Sequence, residues 1–249
     1  MKKVLITGAS SGIGAEMAKI MSEKGYFVIL AARRKDRLEA LAKELKNPCS
    51  VICTDLGACG APQKLFEENR DIDILINNAG FGVFGEFTKT PLPREDEMLR
   101  VNILALHTLT KLYLSEFKRK NQGKILNVAS SAAFFPGPMF SSYYASKAYV
   151  LRLSRAVSEE LRREKSAVTI SVLCPGPVRT EFNDVAGVNF GIGSISAQRA
   201  AREGIDGMFR KKKVIVPSLT VKATHLLSKI FPESLSARIV YKMQRAKMK

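Results

Sequence analysis

Three features of this 249-residue chain predict an α/β fold, a doubly wound, mainly parallel sheet of about seven strands flanked by helices. Short apolar β-rich runs alternate with stretches of helical periodicity, the pattern of strands joined by crossover helices. The run Tyr26 to Ala31 is almost wholly apolar, as a strand covered on both faces must be. A glycine-rich turn, Gly8 to Gly14, separates the first strand from the first helix, where bare backbone and free helix N–H groups form an anion site.

In order, Val4 to Thr7 reads as the first strand, and Glu16 to Lys24 as a helix with Met17, Ile20 and Met21 on one face. Tyr26 to Ala31 is the second strand, followed by Ala32-Arg33-Arg34 and a helix over Lys35 to Lys46. A dinucleotide-binding fold that takes a ribose diol places a carboxylate just past this strand. Here two guanidiniums stand instead, suited to a 2′-phosphate, which argues for NADP(H) over NAD(H). Val51 to Cys53 is the third strand, with Asp55 and Leu56 at its carboxyl end, the edge where open α/β sheets bind ligands. Asp55 could equally cap a turn. A fourth strand within Ile72 to Ile76 runs into Asn77-Asn78-Ala79-Gly80, small enough to close over a nucleotide.

Arg94 to Lys120 is one long helical pattern with Asn102 in its middle, a poor helix former. It reads either as a buried asparagine bonded to backbone or as a group that holds a water or bends the helix. Lys124 to Val128, the fifth strand, delivers Ser130, and a helix from Tyr143 to Arg163 leads to a sixth strand, Val168 to Cys174. Positions i and i+4 share a helix face, so Lys147 lies beside Tyr143, and a neighbouring cation lowers a phenol's pKa. Pro175-Gly176-Pro177-Val178-Arg179-Thr180 leaves the sixth strand at the ligand-binding edge. Glu181 to Met208, rich in Gly, Ala and Ser, is weakly periodic, like a mobile segment over a pocket. Val214 to Pro217 reads as a last strand. Beyond it Leu226, Leu227, Ile230, Phe231, Leu235, Ile239, Val240 and Met243 recur at helical spacing, broken at Pro232. The topology is Rossmann-type, with residues 1–217 as the nucleotide-binding and catalytic unit and 218–249 as a basic amphipathic helical extension of the same domain.

Composition bounds the function. Hydrophobic residues at 46% suffice for a sizeable core. Met-Lys-Lys begins like a signal peptide, but the apolar run after it stops at three residues. No run approaches the length of a membrane span, so a cytoplasmic location is expected. Cys49, Cys53, Cys59 and Cys174 lack the paired spacing of a zinc site, and no metal is expected. The net charge is +17, of which +9 lies from Ile205 onward, 11 basic residues against 2 acidic ones. No recognition motif accompanies that charge, so nucleic acid is not an expected partner.

Thr7-Gly8-x-x-x-Gly12-x-Gly14, Asn77-Asn78-Ala79-Gly80, Ser130, Tyr143-x-x-x-Lys147 and Pro175-Gly176 occur in this order and spacing. Over about residues 1–217 the chain thereby resembles the short-chain dehydrogenase/reductase family. The resemblance implies Tyr143 as acid/base, Lys147 as its partner, Ser130 as the hydroxyl on the substrate oxygen and Asn102 as the fourth member of a proton relay. It implies Gly8, Ser10, Ser11, Gly12, Ile13 and Gly14 around the pyrophosphate and ribose. Arg33, with Arg34, would meet the 2′-phosphate, and Asp55 and Leu56 the adenine. Asn78, Ala79 and Gly80 would line the adenosine side, and Pro175, Gly176, Val178 and Thr180 the nicotinamide, with Tyr143 and Lys147 also touching cofactor. Many NADP-using members carry a basic residue where this chain has Ser11. Spacing favours Tyr143 over Tyr144 and Ser130 over Ser131.

The reading that follows is an NADP(H)-dependent carbonyl reductase or alcohol dehydrogenase. Phe134, Phe135, Met139 and Phe140 suggest an apolar substrate pocket, with Ser130, Phe135, Phe140 and Tyr143 as substrate contacts; loop packing explains these residues equally well. A 3-oxoacyl thioester and a hydroxysteroid or ketosteroid both suit it. The alternatives are a non-catalytic nucleotide-sensing protein on the same fold, and a reductase whose basic tail touches a membrane surface. Packing of the tail on the protein itself or its oligomer is favoured, and the resemblance implies a homo-oligomer, dimer or tetramer.

Overall fold

The computed structural model describes residues 1–182, 194–227 and 232–246. Its centre is a seven-stranded, wholly parallel sheet. The strands are β1 (Lys3–Thr7), β2 (Phe27–Ala32), β3 (Cys49–Cys53), β4 (Ile74–Asn77), β5 (Lys124–Val128), β6 (Thr169–Leu173) and, last in the chain, β9 (Val214–Ile215). They lie in the order β3-β2-β1-β4-β5-β6-β9. The chain therefore winds outward in both directions from the β1–β4 junction, and at that reversal the crevice outside the strand ends opens. A small parallel pair, β7 (Val178–Arg179) with β8 (Ile195–Ser196), follows β6.

Side chains of β1 alternate between two layers. Val4 and Ile6 pack with α1 (Gly12–Glu23) and α2 (Lys35–Glu44), joined by α7 (Ala197–Phe209). Leu5 packs on the other face with α3 (Ala61–Glu68) and α5 (Leu106–Lys120). Val4, Leu5 and Ile6 are wholly buried, and each such side chain stabilises the fold by about 1.5–3 kcal/mol.

The long helix expected over 94–120 is divided. α4 (Leu92–Leu99) passes through a π-helical turn, Arg100–Ala105, into α5, and Asn102 sits in the widened turn. Insertion of one residue into the helical register is a common device at functional sites. α6 (Ser141–Arg163) starts two residues before Tyr143. Sequence periodicity missed α3, only eight residues long with Pro62 in its first turn.

The largest correction falls on 181–208. Residues 183–193 lie outside the described part, but 197–209 is not a loose segment; it is α7, with Ala200, Ala201, Gly204, Ile205 and Met208 buried. A side chain on Gly204 would meet Leu173 at 2.9 Å and Met17 at 3.0 Å, and one on Gly207 would meet Ile215 at 2.6 Å. Its small residues are close-packing contacts. Beyond β9, α8 (Leu219–Leu227) and α9 (Glu233–Arg245) complete the chain, while Ile230 and Phe231 lie outside the described residues.

Candidate active site

A single cavity of about 700 Å³ runs along the carboxyl edge of the sheet from the glycine turn to α9. Its floor is built by the β1 turn. Thr7 Oγ1 accepts from the backbone N–H of Asn78 (3.0 Å) and Ala79 (3.1 Å), and the Asn78 carboxamide donates to the carbonyls of Thr7 and Gly8. Gly8 has φ +65°, and a Cβ there would lie 2.7 Å from Ala79 Cα. That approach needs glycine. Ser11 precedes α1 with no side-chain bond to the helix's own N–H groups, and no acidic residue lies in the helix's first turn. The first N–H groups thus face the cavity with their partial positive charge open to an anion. This donor set fits the pyrophosphate of a dinucleotide.

Of the cofactor positions read from the sequence, Gly8, Ser10, Ser11, Gly12, Ile13, Arg33, Arg34, Asp55, Leu56, Asn78, Ala79, Gly80, Pro175, Gly176, Val178 and Thr180 all line this cavity. Gly14 does not; a Cβ there would strike the Gly8 carbonyl at 2.4 Å, so its place is helix-to-turn packing. Asp55 accepts from Gly57 N–H at 2.9 Å, the turn cap that was its plainer reading. The two arginines differ sharply. Arg33 turns to Glu97 at 2.6 Å, whereas Arg34 lies over the glycine turn, donating to Ser10 Oγ (3.0 Å) and Ser11 Oγ (2.7 Å). Arg34 also pairs with Glu181 at 2.8 Å.

At the other end, β5 and α6 bring Ser130, Tyr143 and Lys147 to one wall. Lys147 is buried, donates to the Val128 carbonyl at 3.1 Å, and sits 5.7 Å from the Tyr143 ring centre. Burial pulls its ammonium down to about 8, with the Cys174 thiol in part opposing that. Burial likewise pushes the Tyr143 phenol well up, and the Ser130 hydroxyl opposes this in part. The lowering by Lys147 expected from sequence is not found: removal of the phenolate from water dominates, and the groups acting on the phenol are Ser130 and Tyr144. At neutral pH Tyr143 holds its proton. The doubled tyrosine separates in space. Tyr143 stacks on Phe140 with ring centres 4.5 Å apart, while the Tyr144 hydroxyl is directed to Gln244 of α9.

Asn102 does not reach the cavity. Its carboxamide accepts from Phe81 N–H (3.1 Å) and donates to the Phe81 carbonyl (2.9 Å) and to Ser146 Oγ (3.1 Å). It binds the Gly80–Phe81 loop to α6, and a Cβ on Gly80 would lie 2.8 Å from its Oδ1 and 3.2 Å from Lys147 Nζ. The phenylalanine-rich loop divides too. Phe135 and Phe140 line the cavity, but Phe134 stacks on His225 at 3.8 Å and Met139 is buried, its carbonyl accepting from Gly85 N–H.

Periodicity placed Ile239, Val240 and Met243 on a helix but not on the cavity, where with Gln244 they line the far wall. The inward stripe of α9 is Ser236, Val240 and Gln244, with Ser236 and Gln244 buried. Those two buried positions are polar and carry no hydrophobic signal. Glu181 and Phe182 were also missed, and their signal was adjacency to Thr180. Among the described residues no cluster of His, Cys, Asp and Glu could hold a metal ion, and no helix is long and apolar enough to cross a membrane.

The short chain dehydrogenase profile matches residues 2–189. The chain belongs to that family. A short-chain dehydrogenase from Sphingobium yanoikuyae in complex with NADPH is 31% identical, with a TM-score of 0.83 over 90% of this chain and 91% of that one. The bulky-bulky ketone specific alcohol dehydrogenase from Comamonas testosteroni is 27% identical, with a TM-score of 0.78 over 94% and 96%. An uncharacterized oxidoreductase of Staphylococcus saprophyticus is 35% identical over 74% of this chain and 76% of its own. This short chain dehydrogenase is accordingly an oxidoreductase of CH–OH and C=O groups that uses a nicotinamide cofactor.

Proposed function

We propose that the enzyme reduces a bulky apolar ketone, or oxidises the corresponding secondary alcohol, with NADP(H). The observation that carries this reading is one continuous cavity with Arg34, Ser10 and Ser11 at one end and Ser130, Tyr143 and Lys147 at the other. Arg34 with the two hydroxyls suits a 2′-phosphate, and the NADPH complex of the Sphingobium relative agrees with that choice. A nicotinamide held along this cavity supplies or accepts the hydride. The Ser130 hydroxyl donates a hydrogen bond to the substrate oxygen as negative charge grows there, and Tyr143 passes its phenolic proton to the same atom. The Lys147 ammonium stabilises the phenolate left behind, and its bond to the Val128 carbonyl fixes its position. Asn102 holds the loop and α6 that carry these groups.

Phe135, Phe140, Ile239 and Met243 make the substrate end apolar, in keeping with a 3-oxoacyl thioester or a hydroxysteroid or ketosteroid; the bulky-ketone specificity of the Comamonas relative supports the same size class. Within 218–249, the described helices α8 and α9 extend the 1–217 unit and close this wall. NADPH oxidation with a panel of bulky ketones, 3-oxoacyl thioesters and ketosteroids tests the reading. NADPH binding with no turnover on any of them would favour the nucleotide-sensing alternative.

A second reading rests on the exposed residues of the last two helices, Leu226 at 62% and Leu235 at 41%, with exposed Arg238 and Lys242 beside the latter. They suit contact with an anionic membrane surface. Co-sedimentation with anionic vesicles should fall in a Leu226→Glu/Leu235→Glu variant; unchanged sedimentation dismisses it. Exposed Leu104 and Tyr149 suit a homo-oligomer, dimer or tetramer, readable by sedimentation velocity.

A further inference from the structure

Glu181 reaches across the cavity mouth from the segment after β7. Its carboxylate takes one guanidinium from Arg34 (2.8 Å) and a second from Arg37, and those two arginines hold it well ionised, Arg37 first. Arg34 is the same guanidinium that Ser10 Oγ and Ser11 Oγ hold on the glycine turn. An anion therefore already lies on the donors that suit a 2′-phosphate. The next residue, Phe182, packs at the reacting end: its ring centre lies 5.3 Å from that of Tyr143. Phe182 N–H donates to Thr180 Oγ1 at 3.3 Å, so Thr180, Glu181 and Phe182 form one short turn bridging the two ends of the cavity.

We propose that Glu181 is a built-in competitor for the 2′-phosphate, and that a phosphate arriving on Arg34 and Arg37 releases Glu181 and, through it, moves Phe182 off the Tyr143 ring. The inference rests on the NADP(H) reading above and adds the residue that sets its strength. A carboxylate and a phosphate cannot share two guanidiniums without like-charge repulsion. Phosphate offers more acceptor oxygens to the planar donors, so it wins the exchange. Side-chain exposures of 40% for Arg34 and 42% for Glu181 keep the ion pair in screened surroundings, where such pairs break readily. A diol-bearing cofactor brings no such anion and leaves Glu181 in place.

Fluorescence titration of NADPH and NADH tests this on wild type, Glu181→Gln and Arg34→Ala. E181Q should tighten NADPH about three- to fivefold and leave NADH nearly unchanged, since one competing charge is removed from a screened pair. The chain has no tryptophan, so F182W serves as a reporter. Its emission should shift with adenosine 2′,5′-bisphosphate but not with adenosine 5′-diphosphate, and should not respond to either in F182W/E181Q. An unchanged NADPH-to-NADH ratio in E181Q, with R34A still weakening NADPH selectively, overturns the competition and spares the NADP(H) reading. Equal weakening of both cofactors by R34A overturns both. A shifted ratio with F182W emission unmoved overturns the link to Tyr143.

Discussion

Gln244 Nε2 donates a 2.8 Å hydrogen bond to the hydroxyl of Tyr144, one hundred residues earlier in the chain. It ties the last helix to the helix that carries Tyr143 and Lys147. Both partners are largely removed from water, and Gln244 is 2% exposed. Gln244→Ala leaves the buried hydroxyl without this donor, a cost of about 1–3 kcal/mol. The melting temperature should fall accordingly, and KM for bulky ketones should rise severalfold while a small ketone is affected little.

Tyr143→Phe removes the proton donor and keeps the ring stacked on Phe140. Turnover should drop by about 10²–10⁴-fold, the usual worth of a positioned acid, with NADPH affinity close to wild type in equilibrium titration. Wild-type turnover would remove Tyr143 from its role.

Arg34→Ala should raise KM for NADPH at least about tenfold and KM for NADH far less, in line with loss of a charge-assisted phosphate contact. Arg33→Ala should have the smaller effect, because Arg33 is engaged with Glu97. The reverse order would return the phosphate to Arg33.

Lys147 sets a pH dependence. Its pKa falls from 10.5 to about 8 by burial, so between those values the unfolded chain holds more protons than the native one. The Lys147 contribution to stability should rise with pH from about 8, opposed above 9.0 by the raised Cys174 thiol and above 10.0 by the raised Tyr143 phenol. Lys147→Met should flatten the rise in a series of thermal melts. In wild type kcat/KM for reduction should decline above about 8, as the ammonium that supports the phenolate is lost.

Asn102→Ala strands the Phe81 N–H and carbonyl and leaves Ser146 Oγ with only its bond to the Tyr143 carbonyl. Loss of these buried bonds should cost about 1–3 kcal/mol, read as a lower melting temperature, and kcat should fall as Gly80 and Phe81 shift against Lys147. A variant with native stability and native kcat would limit Asn102 to a spectator.

The parallel sheet, the glycine turn and the Ser130–Tyr143–Lys147 wall were legible because each is local. A strand that must be apolar, a turn that must be glycine and two side chains one helical turn apart leave their mark within a few residues. Three features were not. The small residues of α7 resemble a loose loop until Leu173, Met17 and Ile215 are seen pressed against Gly204 and Gly207. The two buried positions of α9, Ser236 and Gln244, are polar, so hydrophobic periodicity cannot reveal them. The choice between Arg33 and Arg34 depends on Glu97 and Glu181, which lie 64 and 147 residues away. Adjacent guanidiniums look alike in a linear chain; the fold alone pairs each with a different distant carboxylate and lays only Arg34 on the Ser10 and Ser11 hydroxyls of the glycine turn.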